Sequence, residues 1–142
     1  MSGLVLCAAA LASDLARAEV LLVGSSQIHF TQISKTKLRD LYTGQSQTVG
    51  KSPVLVIDRH HEFDKRESFI SQMLGFTSEE FLTVQRLLEC IGISKAPTVA
   101  RDGKHMIELL DSNPNALGYV TRDELLQNTG HSKFKFIKVL AE

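Results

Sequence analysis

Three short, unbroken apolar runs constrain this chain more than any other feature: Val20-Leu21-Leu22-Val23, Val54-Leu55-Val56-Ile57 and Leu117-Gly118-Tyr119-Val120. The first has no polar face at all, which suits a strand covered on both sides. The other two read as strands as well. Amphipathic segments with helix signals lie between them. Ser34 caps a short helix through Leu38 and Leu41 that ends near Gly44. A polar turn through Gly50 leads to Pro53 and the second strand. A helix follows from Lys65 to Leu74, with Phe69, Ile70, Met73 and Leu74 on one face, and Gly75 stops it. Thr77 and Glu80 form a capping box for a helix that carries Phe81, Leu82, Leu87 and Leu88 inward. Residues 92–103, with Pro97, read as a looser surface crossing. Met106, Ile107, Leu109 and Leu110 mark a third helix, ended by Asn113-Pro114. Arg122 to Leu126 reads as a helical turn and Phe134 to Leu140 as a final strand. Strands separated by helical crossovers define the class: an α/β domain, an open sheet flanked by helices.

The 142 residues make room for one domain. Sixteen Lys and Arg balance sixteen Asp and Glu, so no net field draws the chain to nucleic acid or an anionic membrane. Leu4 to Ala12 is a small apolar run, and Ala16-Arg17-Ala18 has the form of a signal-peptidase site. Residues 1–18 therefore read as a signal peptide and 19–142 as the domain, although no Lys or Arg precedes the run. The alternative for the same residues is a short buried helix. The run is far below the roughly 20 residues that span a bilayer, so no membrane span is expected in the mature form. Cys7 and Cys90 are the only cysteines, which excludes a disulfide framework. Leu87, Leu88 and Ile91 around Cys90 predict a buried, inert thiol.

Motifs with chemical potential are few. Gly50-Lys51-Ser52 resembles the end of a nucleotide-binding loop, but Gly44 lies one residue too far away and a strand, not a helix, follows. His60-His61 beside Glu62 and Asp64 invites a metal assignment. Adjacent side chains project differently, however, and His29, His105 and His131 are isolated, so the expectation is no metal site. No nucleophile with a base is present, no pattern calls for a cofactor, and the chain does not read as an enzyme. Ser25 and Ser26 follow a strand and are candidates to hold an anion through hydroxyls and amides. The segment from Asp58 to Phe69 joins a strand to a helix start, where open α/β sheets gather ligands. Arg59 and Arg66 there are the candidate anion ligands. Against this, Asp64 and Glu67 match an acidic capping box that would satisfy the same helix amides.

These segments resemble a known family. Lys37-Leu38-Arg39-Asp40-Leu41-Tyr42-Thr43-Gly44, then Pro53 to Arg59 followed by Phe69, then Asn113-Pro114-Asn115-Ala116-Leu117-Gly118-Tyr119-Val120 resemble, in order and spacing, stretches of the periplasmic phosphate-binding proteins of ABC transporters. Together they cover most of residues 20–121. The resemblance implies one lobe of a type II periplasmic-binding-protein fold, located in the periplasm. It implies a non-catalytic role in solute binding or as an accessory protein, with phosphate or another small anion as ligand and an envelope or transporter protein as partner. In the family's anion loop an arginine precedes the serine, glycine and threonine that grip the ligand. Laid onto this chain, the arginine falls on Arg59, while the gripping positions fall on Phe63, Asp64 and Lys65. The alternative is an interaction module that has lost its ligand, with Phe63 offered to an apolar partner. A metal-dependent hydrolase using His60 and His61 is a distant third reading.

Overall fold

A computed structural model describes residues 20–93, 97–128 and 133–141. The expected signal peptide, Cys7 and His131 lie outside the described residues. The elements run β1 (Val20–Ser25), β2 (Gln32–Ser34), α1 (Lys35–Thr43), β3 (Thr48–Val49), β4 (Ser52–Pro53) and β5 (Leu55–Arg59). There follow α2 (Arg66–Phe69), a π-helical turn (Ile70–Leu74), α3 (Ser78–Cys90), β6 (Thr98–Ala100) and α4 (Gly103–Ser112). Last come β7 (Ala116–Thr121), α5 (Arg122–Asn128), β8 (Phe134–Phe136) and β9 (Lys138–Leu140).

The main sheet has the order β6-β5-β7-β1-β8. Strands β6, β5 and β7 are parallel, whereas β1 runs antiparallel to both β7 and β8. Alternate side chains feed two cores. Val20 and Leu22 of β1, Val56 of β5 and Leu117 and Tyr119 of β7 join α1, α2 and Phe81 on one face. Val23, Ile57, Ala116 and Val120 join α4 on the other. Both faces are thus covered, the physical reason the strand sequences lack a polar side. Gly118 lies where a Cβ would strike the Met106 sulfur, so its missing side chain lets α4 settle onto β7.

Helix ends follow local chemistry. The Ser34 hydroxyl accepts from Lys37 N at 3.1 Å, and Gly44 closes α1 in the left-handed region at φ 86°. Thr77 and Glu80 form both halves of the capping box of α3. Other expectations give way. The helix expected over residues 65–74 is a short α-turn continued by the π-helical turn, with Gly75 closing it at φ 73°. The acidic cap at Asp64 does not form: the residue before α2 is Lys65, and no side chain caps there. Residues 98–100 are edge strand β6 rather than loop, and the turn through Gly50 is the tip of the small β3–β4 hairpin.

Helix α3 departs most from expectation. Only Phe81 is buried; Leu82 is 45% exposed and Leu87 61%. Cys90 is exposed too, not the buried thiol expected. An apolar pattern says which residues prefer burial but not whether the chain supplies a surface to bury them against. Phe69→Ala should accordingly cost about 3–5 kcal/mol in urea unfolding, the range for emptying a buried aromatic site. Leu87→Ala should fall within about 0.5 kcal/mol of the parent. Comparable losses for the two would mean that α3 packs through Leu87 after all.

Candidate functional site

Strand β5 ends in Asp58 and Arg59, both buried, at the same edge of the sheet where β7 delivers Tyr119. Burying charges is tolerable only with compensation, and each finds it. Asp58 Oδ1 accepts from Arg59 N at 2.7 Å, the Tyr119 hydroxyl at 2.5 Å and Arg66 Nε at 3.3 Å. Oδ2 accepts from Arg66 Nη2 at 2.9 Å. The Tyr119 ring is stacked on Phe69 at 3.7 Å between centroids and 5° between planes, which fixes its hydroxyl over the carboxylate. Burial first, then the Asp58 charge and hydrogen bond, push the Tyr119 hydroxyl far above its ordinary pKa. It therefore remains a proton donor at any physiological pH. Burial acts to lower the Arg66 guanidinium, but the bond to Asp58 and its charge outweigh this and leave it raised.

Arg59 is held too, at all but one of its nitrogens. Its two terminal nitrogens donate to Glu124 Oε1 and Oε2 at 2.8 and 2.7 Å, a fork-on-fork pair. The guanidinium carbon lies 3.7 Å from the centre of the Phe63 ring, and only 3% of the side chain is exposed. Arg59 Nε has no partner, the only such buried side-chain nitrogen or oxygen among the described residues. Glu124 also works locally: its Oε1 accepts from Thr121 N at 2.9 Å while Thr121 Oγ1 accepts from Glu124 N at 3.1 Å, a capping box that starts α5. A Cβ on Gly103 would collide with this carboxylate, so the glycine makes room for the pair.

The candidate ligands are therefore not brought together. Arg59 and Arg66 share one end of the sheet, each matched by a carboxylate. Ser25 sits at the opposite end, because β1 is antiparallel to β7 and Gly24 pairs with Leu117 rather than Val120. Its buried hydroxyl lies 2.6 Å from Leu110 O and 2.5 Å from Asn113 O and shares its one proton between them, tying α4 to β1. Ser26 is exposed beside it. Phe63 is half-buried, packed against the apolar core and over the Arg59 guanidinium. An open groove of about 460 Å³ lies above the arginines, lined by His60, His61, Arg66, Gln85, Glu89 and the apolar Leu82, among others. Sequence reasoning missed Asp58, Tyr119 and Glu124. Tyr119 reads in the sequence as part of a strand and of the resembling stretch, and the signal that points to Glu124 is the capping pattern Thr121-x-x-Glu124.

The Arg59–Glu124 pair makes stability depend on pH in a defined direction. Burial alone would raise the Glu124 carboxyl, but hydrogen bonds from Arg59 and Thr121 and the Arg59 charge hold it below the ordinary carboxylate range. A depressed folded value gives stability that is complete above about pH 4.3, where unfolded glutamate ionises, and lost as pH falls through the folded value. Glu124→Gln should lose about 3 kcal/mol at pH 7. Its stability, followed by urea unfolding, should also decline less steeply than the parent's as pH falls below about 4.3. Parallel pH profiles would show that Glu124 does not carry the acid sensitivity.

A scan against protein-family models and a search of curated proteins find no match. Solved structures do match. An ABC-type phosphate transport receptor from Vibrio cholerae aligns with TM-score 0.62 at 20% identity, over 85% of this chain and 46% of its own. PstS from Borrelia burgdorferi aligns with TM-score 0.64 at 18% identity, over 85% and 47%. A Clostridium perfringens structure in the same class, solved with bound phosphate, aligns with TM-score 0.61 at 17% identity, over 85% and 44%. The chain spans less than half the length of these neighbours. Identity this low speaks to architecture alone, and on that the agreement is plain: the chain has the phosphate-binding-protein-like fold of ABC transporter substrate-binding proteins, over a stretch equal to about half of one.

Proposed function

We propose that this chain is a non-catalytic, periplasmic domain of the phosphate ABC transporter substrate-binding type, serving in solute binding or as an accessory protein of an envelope assembly. The observation that carries this reading is the place of Arg59 and Arg66. Both lie where a parallel strand hands over to a helix, the end of an open α/β sheet at which ligands gather. The neighbours named for phosphate transport share this architecture.

The same geometry limits affinity. Each guanidinium already faces a carboxylate, so an anion must compete with Asp58 or Glu124 rather than fill an empty cradle. Arg66, 21% exposed, is the ligand that remains reachable. Calorimetric titration of the domain from Glu19 onward with inorganic phosphate at low salt should give a dissociation constant on the order of 1 mM, about 4 kcal/mol of binding energy. Arg66→Gln should remove it, whereas Ser26→Ala, at the far end of the sheet, should not. Micromolar binding would show that the ion pairs open for the ligand, contrary to this reading.

A second reading, an interaction module without a ligand, is favoured by one observation: Leu82 and Val99, 45% and 48% exposed, line the same groove. Absence of any heat at tens of millimolar phosphate (beyond roughly ten dissociation constants) would select it.

Export rests on the apolar N-terminal run and Ala16-Arg17-Ala18. Among the described residues no helix is long and apolar enough to cross a membrane. N-terminal sequencing of protein recovered from a periplasmic fraction should begin at Glu19. Recovery with Met1 intact in the cytosolic fraction would refute export.

A further inference from the structure

The turn between β5 and α2 carries three consecutive side chains that the buried charge network leaves unused: His60, His61 and Glu62. Consecutive residues ordinarily project apart, which is why the sequence predicts no metal site there. The turn overrides that rule. The two imidazole rings lie 4.2 Å apart between centroids, tilted by 36°, and His60 Nδ1 is 3.9 Å from Glu62 Oε2. One ligand atom from each of the three falls within 4.8 Å of the others, and no other group of three His, Cys, Asp or Glu among the described residues does so.

We propose that His60, His61 and Glu62 form a site for a divalent transition ion of the zinc class, with the remaining coordination positions open toward the groove. Bonds of about 2.1 Å at tetrahedral angles place ligand atoms about 3.4 Å apart, so closure requires movements of an ångström or two. The side chains are free to make them: His61 and Glu62 are exposed and His60 is 44% exposed. The backbone that presents them is pinned. His60 N donates to Ala100 O at 3.1 Å, and Phe63 N donates to His60 O at 2.9 Å. Less conformational entropy is therefore lost on binding than in a loose loop.

Electrostatics agrees. The guanidiniums that line the groove, Arg59 and Arg66, are each neutralised by a carboxylate, and Asp64 lies 3.9 Å from Lys65 Nζ. Within the groove lining a cation thus meets no unpaired arginine, and Glu89 adds a carboxylate to the same lining. Two imidazoles and one carboxylate form the donor set that selects zinc and its first-row neighbours over magnesium or calcium. His60 Nδ1 accepts a long, 3.3 Å bond from Glu62 N, which an ion bound through Nδ1 would displace.

The site uses neither Arg59 nor Arg66, so it stands or falls separately from phosphate binding. Untagged full-length protein, freed of metal by chelator, would be titrated calorimetrically with zinc sulfate alone in a non-coordinating buffer. One equivalent should bind with micromolar affinity, and magnesium should bind at least about 100-fold more weakly. His61→Gln and Glu62→Gln should each weaken zinc by about tenfold or more. His105→Gln and Cys90→Ser should leave it unchanged. Urea midpoints equal to the parent's would confirm that the exposed substitutions leave the fold intact. Absence of binding at about 100 μM zinc (roughly 5.5 kcal/mol) would overturn the proposal, as would binding that survives His61→Gln or disappears with Cys90→Ser.

Discussion

A buried carboxylate organises this structure. Asp58, with 5% of its side chain exposed, is the penultimate residue of the interior strand β5 and accepts from Arg59 N, the Tyr119 hydroxyl and two nitrogens of Arg66. Without those donors the charge would cost several kcal/mol to bury. With them it ties the end of β5, already paired with β7 in the sheet, to the Tyr119 hydroxyl in the middle of β7 and to the start of α2. The aromatic layer serves the same junction. Phe69 stacks on Tyr119 and meets Tyr42 edge-on at 4.9 Å, while the Tyr42 hydroxyl donates to Ile57 O at 3.0 Å.

Arg59 repeats the arrangement one residue later, and the repetition bears on function. In a binding loop, arginine charge is held ready for a ligand. Here the chain itself supplies both counter-charges, Asp58 for Arg66 and Glu124 for Arg59, and lays Phe63 over the second guanidinium. The binding-protein-like architecture surrounds two arginines whose charges are already paired. What remains chemically open at that end of the sheet is the exposed turn, with its paired imidazoles and a carboxylate, and an apolar groove wall from Leu82 and Val99.

Much of the fold was legible in the residues because the signals are local. Ser34, Thr77 and Gly44 act on backbone groups within four positions, so their capping roles can be read from spacing alone. The continuous apolar runs announced strands covered on both faces. Where the reading failed, the deciding partner was distant. Leu82 and Leu87 have the apolarity of core residues, but nothing in the described chain covers them. Strand β6 is three residues long and declares itself only by pairing with β5. Asp64 had the right spacing for a cap, yet the turn from His60 to Lys65 delays the helix until Arg66.

By itself, then, the sequence determined the class of fold, the order of its principal strands and helices and the ends of two helices, because periodicity and capping act over one or two turns of chain. Tertiary structure alone decided the chemistry of the candidate site. Glu124 reaches Arg59 across 65 positions and Tyr119 reaches Asp58 across 61, so no spacing rule could show that the arginines arrive already paired. Strand direction likewise sent Ser25 to the far end of the sheet, since an antiparallel β1 reverses which end of its run lies beside Arg59. Charge and burial become properties of a site only when the chain closes on itself.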